Sequence, residues 1–194
     1  LTSEIPRNFG LLDKLEILRL TDNHLTGNIP HELTTLNSLQ ILKLRKNNLS
    51  GEIPLNIGEL SQLDSLDFAY NYLTGSIPES IGNLDDLKYL YINDNLLSGS
   101  IPESIGLLDS LSILYVDNNR LSGEIPNSIG NLLSLRRLYV NNNCLVGLVP
   151  IEICNIYLIN SDFRSEMEYN QLSVPIPECV KTSHFEPQLS SCPY

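Results

Sequence analysis

The chain has 194 residues, the size of a single domain, and 42% of them are hydrophobic, enough for a sizeable core and too many for a disordered tail. Twelve Lys and Arg against 23 Asp and Glu leave a net charge of −11, which argues against a nucleic-acid binder, with its basic footprint, and against docking on an anionic membrane. No run approaches the ~18 apolar residues of a bilayer-spanning helix, so the sequence offers no direct membrane insertion.

Read from the amino end, the chain repeats itself. Leu1-Thr2-Ser3-Glu4-Ile5-Pro6 matches Leu25-Thr26-Gly27-Asn28-Ile29-Pro30, and Ile-Pro or Val-Pro pairs recur at 5, 29, 53, 77, 101, 125 and 149, always 24 residues apart. An eighth pair, Ile176-Pro177, follows 27 residues after the seventh. Between the pairs runs a second pattern: Leu15, Leu18, Leu20, Asn23 and Leu25, then Leu39, Leu42, Leu44, Asn47 and Leu49, and onward to Asn143 and Leu145. The alternation around Leu18-Arg19-Leu20 predicts a short strand with one buried face. The recurring Asn sits where the chain turns, and its amide can satisfy backbone groups that a turn leaves unpaired. Gly27, Gly51, Gly75, Gly99, Gly123 and Gly147 mark a second bend or close packing of coils. Each Pro opens a short helical turn that Gly10, Gly58, Gly82, Gly106 and Gly130 are expected to close, with Thr34 and Cys154 in that place in two repeats.

One such unit cannot bury its own leucines, whereas stacked units can. The predicted fold is therefore an α/β right-handed solenoid: a parallel sheet on the concave face and short 3-10 or helical turns on the convex side. The stretch from Leu111 to Leu132, of the form LxxLxLxxNxLSGxIPxxIGxL, resembles the plant-type extracellular leucine-rich repeat, and the resemblance covers roughly residues 1–156. It implies a secreted or cell-surface recognition scaffold like the ectodomains of receptor-like kinases and receptor-like proteins, or like polygalacturonase inhibitors. The solenoid is assigned to residues 1–156 and an irregular last repeat with its cap to residues 157–194. The start in mid-repeat, with no amino cap before it, is expected to mean either further chain upstream or an edge that pairs with something.

Four cysteines, Cys144, Cys154, Cys179 and Cys192, fall in the last quarter and read as two disulfides stapling the cap in an oxidising, extracellular compartment. Cys154–Cys179 with Cys144–Cys192 is favoured by coil spacing, and Cys144–Cys154 with Cys179–Cys192 stays open. A single sequon, Asn48-Leu49-Ser50, places Asn48 between inward residues and so pointing outward, open to glycosylation.

Residues between the strand leucines form columns on the concave face. The central column reads Arg19, Lys43, Asp67, Tyr91, Tyr115 and Tyr139; Tyr89 lies in the column before it, Arg45 and Asp117 in the column after, and Tyr70 and Asp94 in the next. Early repeats thus carry a basic patch and later ones a tyrosine strip bordered by Asp and Asn. Tyrosine offers large contact area at low entropic cost, which suits stacking on sugar rings or gripping an extended chain; β-propensity alone also favours Tyr on exposed strands. Asp94 and Asp117 lack the spaced acidic loop of a Ca²⁺ site, and no metal or cofactor is expected. His24, His31 and His184 have no positioned nucleophile or carboxylate, so no enzyme is expected. The leading expectation is a non-enzymatic extracellular scaffold binding a protein, peptide or glycan on the tyrosine-rich face. The alternative is a structural protein that assembles with copies of itself, and adsorption to ice or mineral is a third, disfavoured by irregular outward residues.

Overall fold

A computed structural model describes residues 1–180. Among them, the strands Ile17–Arg19, Ile41–Lys43, Ser65–Asp67, Tyr89–Tyr91, Ile113–Tyr115, Arg137–Tyr139 and Arg164–Glu166 form one seven-stranded parallel sheet, in chain order. Each strand belongs to one coil, numbered one to seven from the amino end. Because each strand pairs with its equivalent 24 residues on, or 27 at the last interface, the register aligns like positions into straight columns, as with Leu66, Leu90 and Leu114. The middle residues point inward to a continuous core of Leu, Ile and Val, with Phe68, Phe163 and Met167 filling it.

The recurring asparagine does more than close its own turn. Asn119 Oδ1 accepts from Leu97 N–H of the preceding coil at 2.9 Å, and its Nδ2 donates to Ile92 C=O of that coil and to Val116 C=O of its own, each at 3.1 Å. Asn47, Asn71, Asn95, Asn143 and Asn170 repeat the arrangement. Each buried amide therefore stitches two coils together and satisfies backbone groups that cannot reach water.

Beyond the asparagine the chain enters a second, thinner ribbon of parallel pairs that the leucine pattern does not reveal, including Arg120–Glu124 beside Cys144–Leu148. Here Gly99 and its equivalents have φ of 74–77°, the left-handed bend that glycine adopts without strain. The prolines then open 3-10 turns such as Glu103–Leu107, with Pro102 at the N-cap. The second set of glycines does not terminate these turns, contrary to the sequence expectation. Gly106 lies within its turn, outside the left-handed region, and a Cβ there would strike the Ser128 carbonyl of the next coil. Close stacking, not backbone conformation, demands glycine. In coil two Thr34 takes this place, and the following turn is shortened to Ile57–Glu59.

The last coil differs by a short α-helix, Cys154–Ile159, which accommodates the extra residues before Arg164–Glu166 rejoins the sheet in register. Cys154 is bonded to Cys179 with a Cα–Cα separation of 5.5 Å, the favoured of the two connectivities. Cys144 is also disulfide-bonded. Its expected partner, Cys192, lies outside the described residues.

Replacing Asn119 with Ala leaves Leu97 N–H buried without its partner and takes one of two amide donors from each of the buried Ile92 and Val116 carbonyls, which keep Asn95 and Asn143. At ~1–3 kcal/mol for an orphaned group, Asn119→Ala is expected to cost about 2–4 kcal/mol in denaturant unfolding, against less than about 0.5 kcal/mol for the exposed Asn48→Ala.

Candidate functional site

The predicted columns form on the concave face, with Arg19, Lys43, Asp67, Tyr91, Tyr115 and Tyr139 on adjacent strands. Their side chains nevertheless meet in ways that spacing alone does not fix. Tyr115 and Tyr139 stack face to face, 4.3 Å between centroids and 4° between planes, and Tyr91 meets Tyr115 edge-on at 5.3 Å. The tyrosines thus spend part of their faces on one another, which corrects the picture of a row of open platforms for sugar rings. Burial in this cluster, with the neighbouring Tyr139 hydroxyl adding to it, pushes the Tyr115 hydroxyl up to about 12, so it stays a hydrogen-bond donor throughout the physiological range. Tyr91 is raised too, by burial first and by the nearby Asp67 second. Tyr89 and Tyr70 are the more open members, at 37% and 44% exposure.

Coil three forms a recess between the two halves of the face. Ser65, Asp67 and Ala69 are all buried, their short side chains lying between longer ones on the neighbouring strands. Asp67, expected as a presented carboxylate, is only 7% exposed, and its Oδ1 accepts from Ala69 N–H at 3.2 Å. Desolvation raises its pKa, opposed by that N–H and by Arg45 and Lys43. Half of the basic patch is also engaged within the protein: Lys46 pairs with Asp22 at 2.8 Å, and the Arg45 guanidinium sits 4.5 Å above the Tyr70 ring.

Asp117 is likewise buried, at 8% exposure, rather than presented. Its Oδ2 accepts from Asn118 Nδ2 at 2.7 Å, while Asn93 Nδ2 donates to Asp94 Oδ2 at the same distance in the coil before. Desolvation, with Asp94 and Glu166 nearby, raises Asp117 to about 6. Asp94 and Tyr70 lie where the backbone turns through φ of 53° and 57°. Asn48 is exposed, next to the buried Asn47. Among the described residues no group of His, Cys, Asp and Glu is arranged to hold a metal ion.

Arg137 stands in the Tyr89 column, where the repeat arithmetic also puts it, and the register adds Arg164 and then Glu166 to the face. Arg164 and Glu166 escape a reading based on leucines, because Ser165 occupies the inward place that leucine fills elsewhere, its hydroxyl bonded to the Tyr157 hydroxyl at 2.9 Å. Counting back six residues from Asn170, as Arg137 lies six before Asn143, locates Arg164.

A carboxyl whose pKa is higher folded than unfolded holds its proton more tightly in the folded state. Its contribution is therefore full below about pH 4 and is lost as pH rises through about 6. Asp117→Asn is expected to stabilise the protein at pH 7 by about 1–3 kcal/mol and to leave stability at pH 3 nearly unchanged, measured by denaturant unfolding at both values.

The Leucine Rich Repeat family model matches residues 14–36, 38–60, 62–84, 86–108, 110–132 and 134–156. No curated protein matches the chain. Among solved structures, the Arabidopsis receptor kinase HAESA, in complex with the peptide hormone IDA and the co-receptor SERK1, is 36% identical with a TM-score of 0.88, over 94% of this chain and 30% of that one. The plant peptide hormone receptor RGFR1 in complex with RGF2 is 33% identical with a TM-score of 0.85, over 90% of this chain and 28% of that one. A plant ice-binding protein is 26% identical with a TM-score of 0.67, over 91% of this chain and 71% of that one. The chain thus spans less than a third of each of these two receptor structures. With six matched repeats, an asparagine-stitched parallel sheet and this likeness to receptor ectodomains, the chain belongs to the leucine-rich repeat family in its plant extracellular form.

Proposed function

We propose that the protein is a non-enzymatic extracellular recognition scaffold that binds a protein or peptide on its concave face, with Tyr89, Tyr91, Tyr115 and Tyr139 as the contact strip. The observation that carries this is the packed row of half-buried tyrosines on a continuous, registered sheet. Rings already locked against each other lose little freedom on binding, so contact area is gained at low entropic cost. The resemblance to ectodomains solved with peptide hormones supports a polypeptide ligand. The ring stacking favours it over a glycan, since two of the faces that a sugar would cover are already in use. The Cys154–Cys179 bond and the exposed sequon at Asn48 support an extracellular setting.

Self-assembly and adsorption to ice are less well supported. The second ribbon carries Thr26, Ser50, Thr74, Ser98 and Ser122 at equivalent places, but its register sets Tyr72 beside Ser50 and Arg120 beside Ser98, which interrupts a lattice of like groups.

The test is to pan a displayed random-peptide library against the protein and measure the enriched peptides on variants. Tyr115→Ala with Tyr139→Ala is expected to weaken their binding by about thirtyfold, the effect of losing a ~2 kcal/mol anchor, with an unchanged circular dichroism spectrum. Enriched peptides that bind the double variant as tightly as the parent would overturn the proposal. Secretion from a eukaryotic host is expected to add glycan mass that Asn48→Gln removes, as read by mass spectrometry.

A further inference from the structure

Three arginines gather on the last two coils at the entry end of the concave strands. Arg137 and Arg164 face each other directly across adjacent parallel strands, and Arg136 precedes Arg137. Like charges in direct register destabilise a sheet. In a chain with nearly twice as many acidic as basic residues, a carboxylate between them would be the simple remedy. Among the described residues none of the three is in an ion pair; the pairs that form involve Arg7, His31, Lys46 and Lys88.

Backbone carbonyls hold two of the guanidinium groups in place. Arg137 Nη1 donates to Arg136 C=O and Asp162 C=O, both at 2.8 Å, and Arg164 Nη1 donates to Phe163 C=O at 2.9 Å. Each guanidinium carries five N–H donors, so most of the fork on both arginines is left for another partner. The three arginines line a cleft of about 270 Å³ together with Ser112, Ile113 and Asp162. Ser112 and Arg136 are shared with an adjoining cleft of about 430 Å³, which Ser110, Ser134, Leu133 and Ile159 also line. Tyr139 lies two residues along the strand from Arg137, roughly 7 Å, so the clefts open beside the tyrosine strip.

We infer that this arginine cleft is an anion site that takes the carboxylate side chains of an acidic segment in a polypeptide ligand. The inference rests on the proposed function and extends it by naming the charge of the ligand at one end of the face. Planar forks held at fixed positions match carboxylates bidentately. The serine hydroxyls supply further donors, and Ile113, Leu133 and Ile159 offer apolar contact that suits polypeptide side chains better than the uniformly polar surface of a sulfated glycan. The early basic patch is a weaker site for an outside anion, because Asp22 and Tyr70 already engage Lys46 and Arg45, and Asp67 lies beside Lys43.

Short poly-L-glutamate at low ionic strength is the probe, followed by the arginine Nε–Hε signals in NMR, with heparin as comparator. The probe is expected to shift Arg137 and Arg164 but not Arg19. Arg137→Gln with Arg164→Gln should weaken binding by at least about tenfold, and the charge-matched Arg19→Gln with Lys43→Gln by less than about twofold. Circular dichroism melts of both pairs check that the fold is kept. No binding of poly-L-glutamate, or equal loss in the two double variants, overturns the inference. Heparin binding that is tighter than poly-L-glutamate and lost with the same arginines overturns the assignment to a polypeptide. If library peptides still depend on Tyr115 and Tyr139 while poly-L-glutamate fails, the arginine site alone is removed; if the library peptides ignore the tyrosines as well, the proposed function falls with it.

Discussion

A buried asparagine in each coil binds its own turn to the coil before it, and the display surface depends on that bond. A solenoid has no distant contacts to enforce its shape, so the geometry of the array is the sum of its neighbour-to-neighbour interfaces. Hydrophobic stacking brings coils together but resists sliding poorly, since leucine packs on leucine over a range of offsets. Directional bonds from one amide to both coils remove that freedom. Asn47 to Asn170 do this in every interface from coil one to coil seven, with the oxygen always on a leucine N–H of the previous coil. Glycines such as Gly106 let the convex turns approach as closely as the sheet side requires.

Fixed register turns sequence into surface. Residues 24 apart become lateral neighbours, so Tyr115 and Tyr139 stack, and Arg137 and Arg164 stand opposed across an interval lengthened to 27. The amino-terminal half engages Lys46 with Asp22 and Arg45 with Tyr70, whereas the carboxyl-terminal half leaves arginines beside an aromatic cluster. The two ends of one face therefore differ in what they ask of a ligand. Asp117 adds a proton-sensitive element between them, because burial brings its titration to about pH 6.

The period and the columns were legible from the chain because a constant repeat length makes neighbours in space predictable from arithmetic. The role of glycine was only half legible: Gly99 is required by its backbone angle, but Gly106 by a carbonyl in the next coil that no local pattern displays. The burial of Asp67 was hidden because it follows from the short Ser65 and Ala69 beside it and the long side chains on adjacent strands. Arg164 and Glu166 were missed where the helix Cys154–Ile159 lengthens the coil and Ser165 replaces a leucine. Ring stacking at Tyr115 depends on rotamers chosen jointly with its neighbours, which spacing does not encode.

Amide hydrogen exchange of the leucine N–H groups bonded to asparagine oxygens tests the stitched-array account most directly. Leu49, Leu73, Leu97 and Leu121 are predicted to exchange at similar, slow rates set by cooperative opening of several coils, as slowly as the core strand amides. Fast exchange at these four amides, with protection confined to the strands, would mean that the asparagines do not hold the coils together.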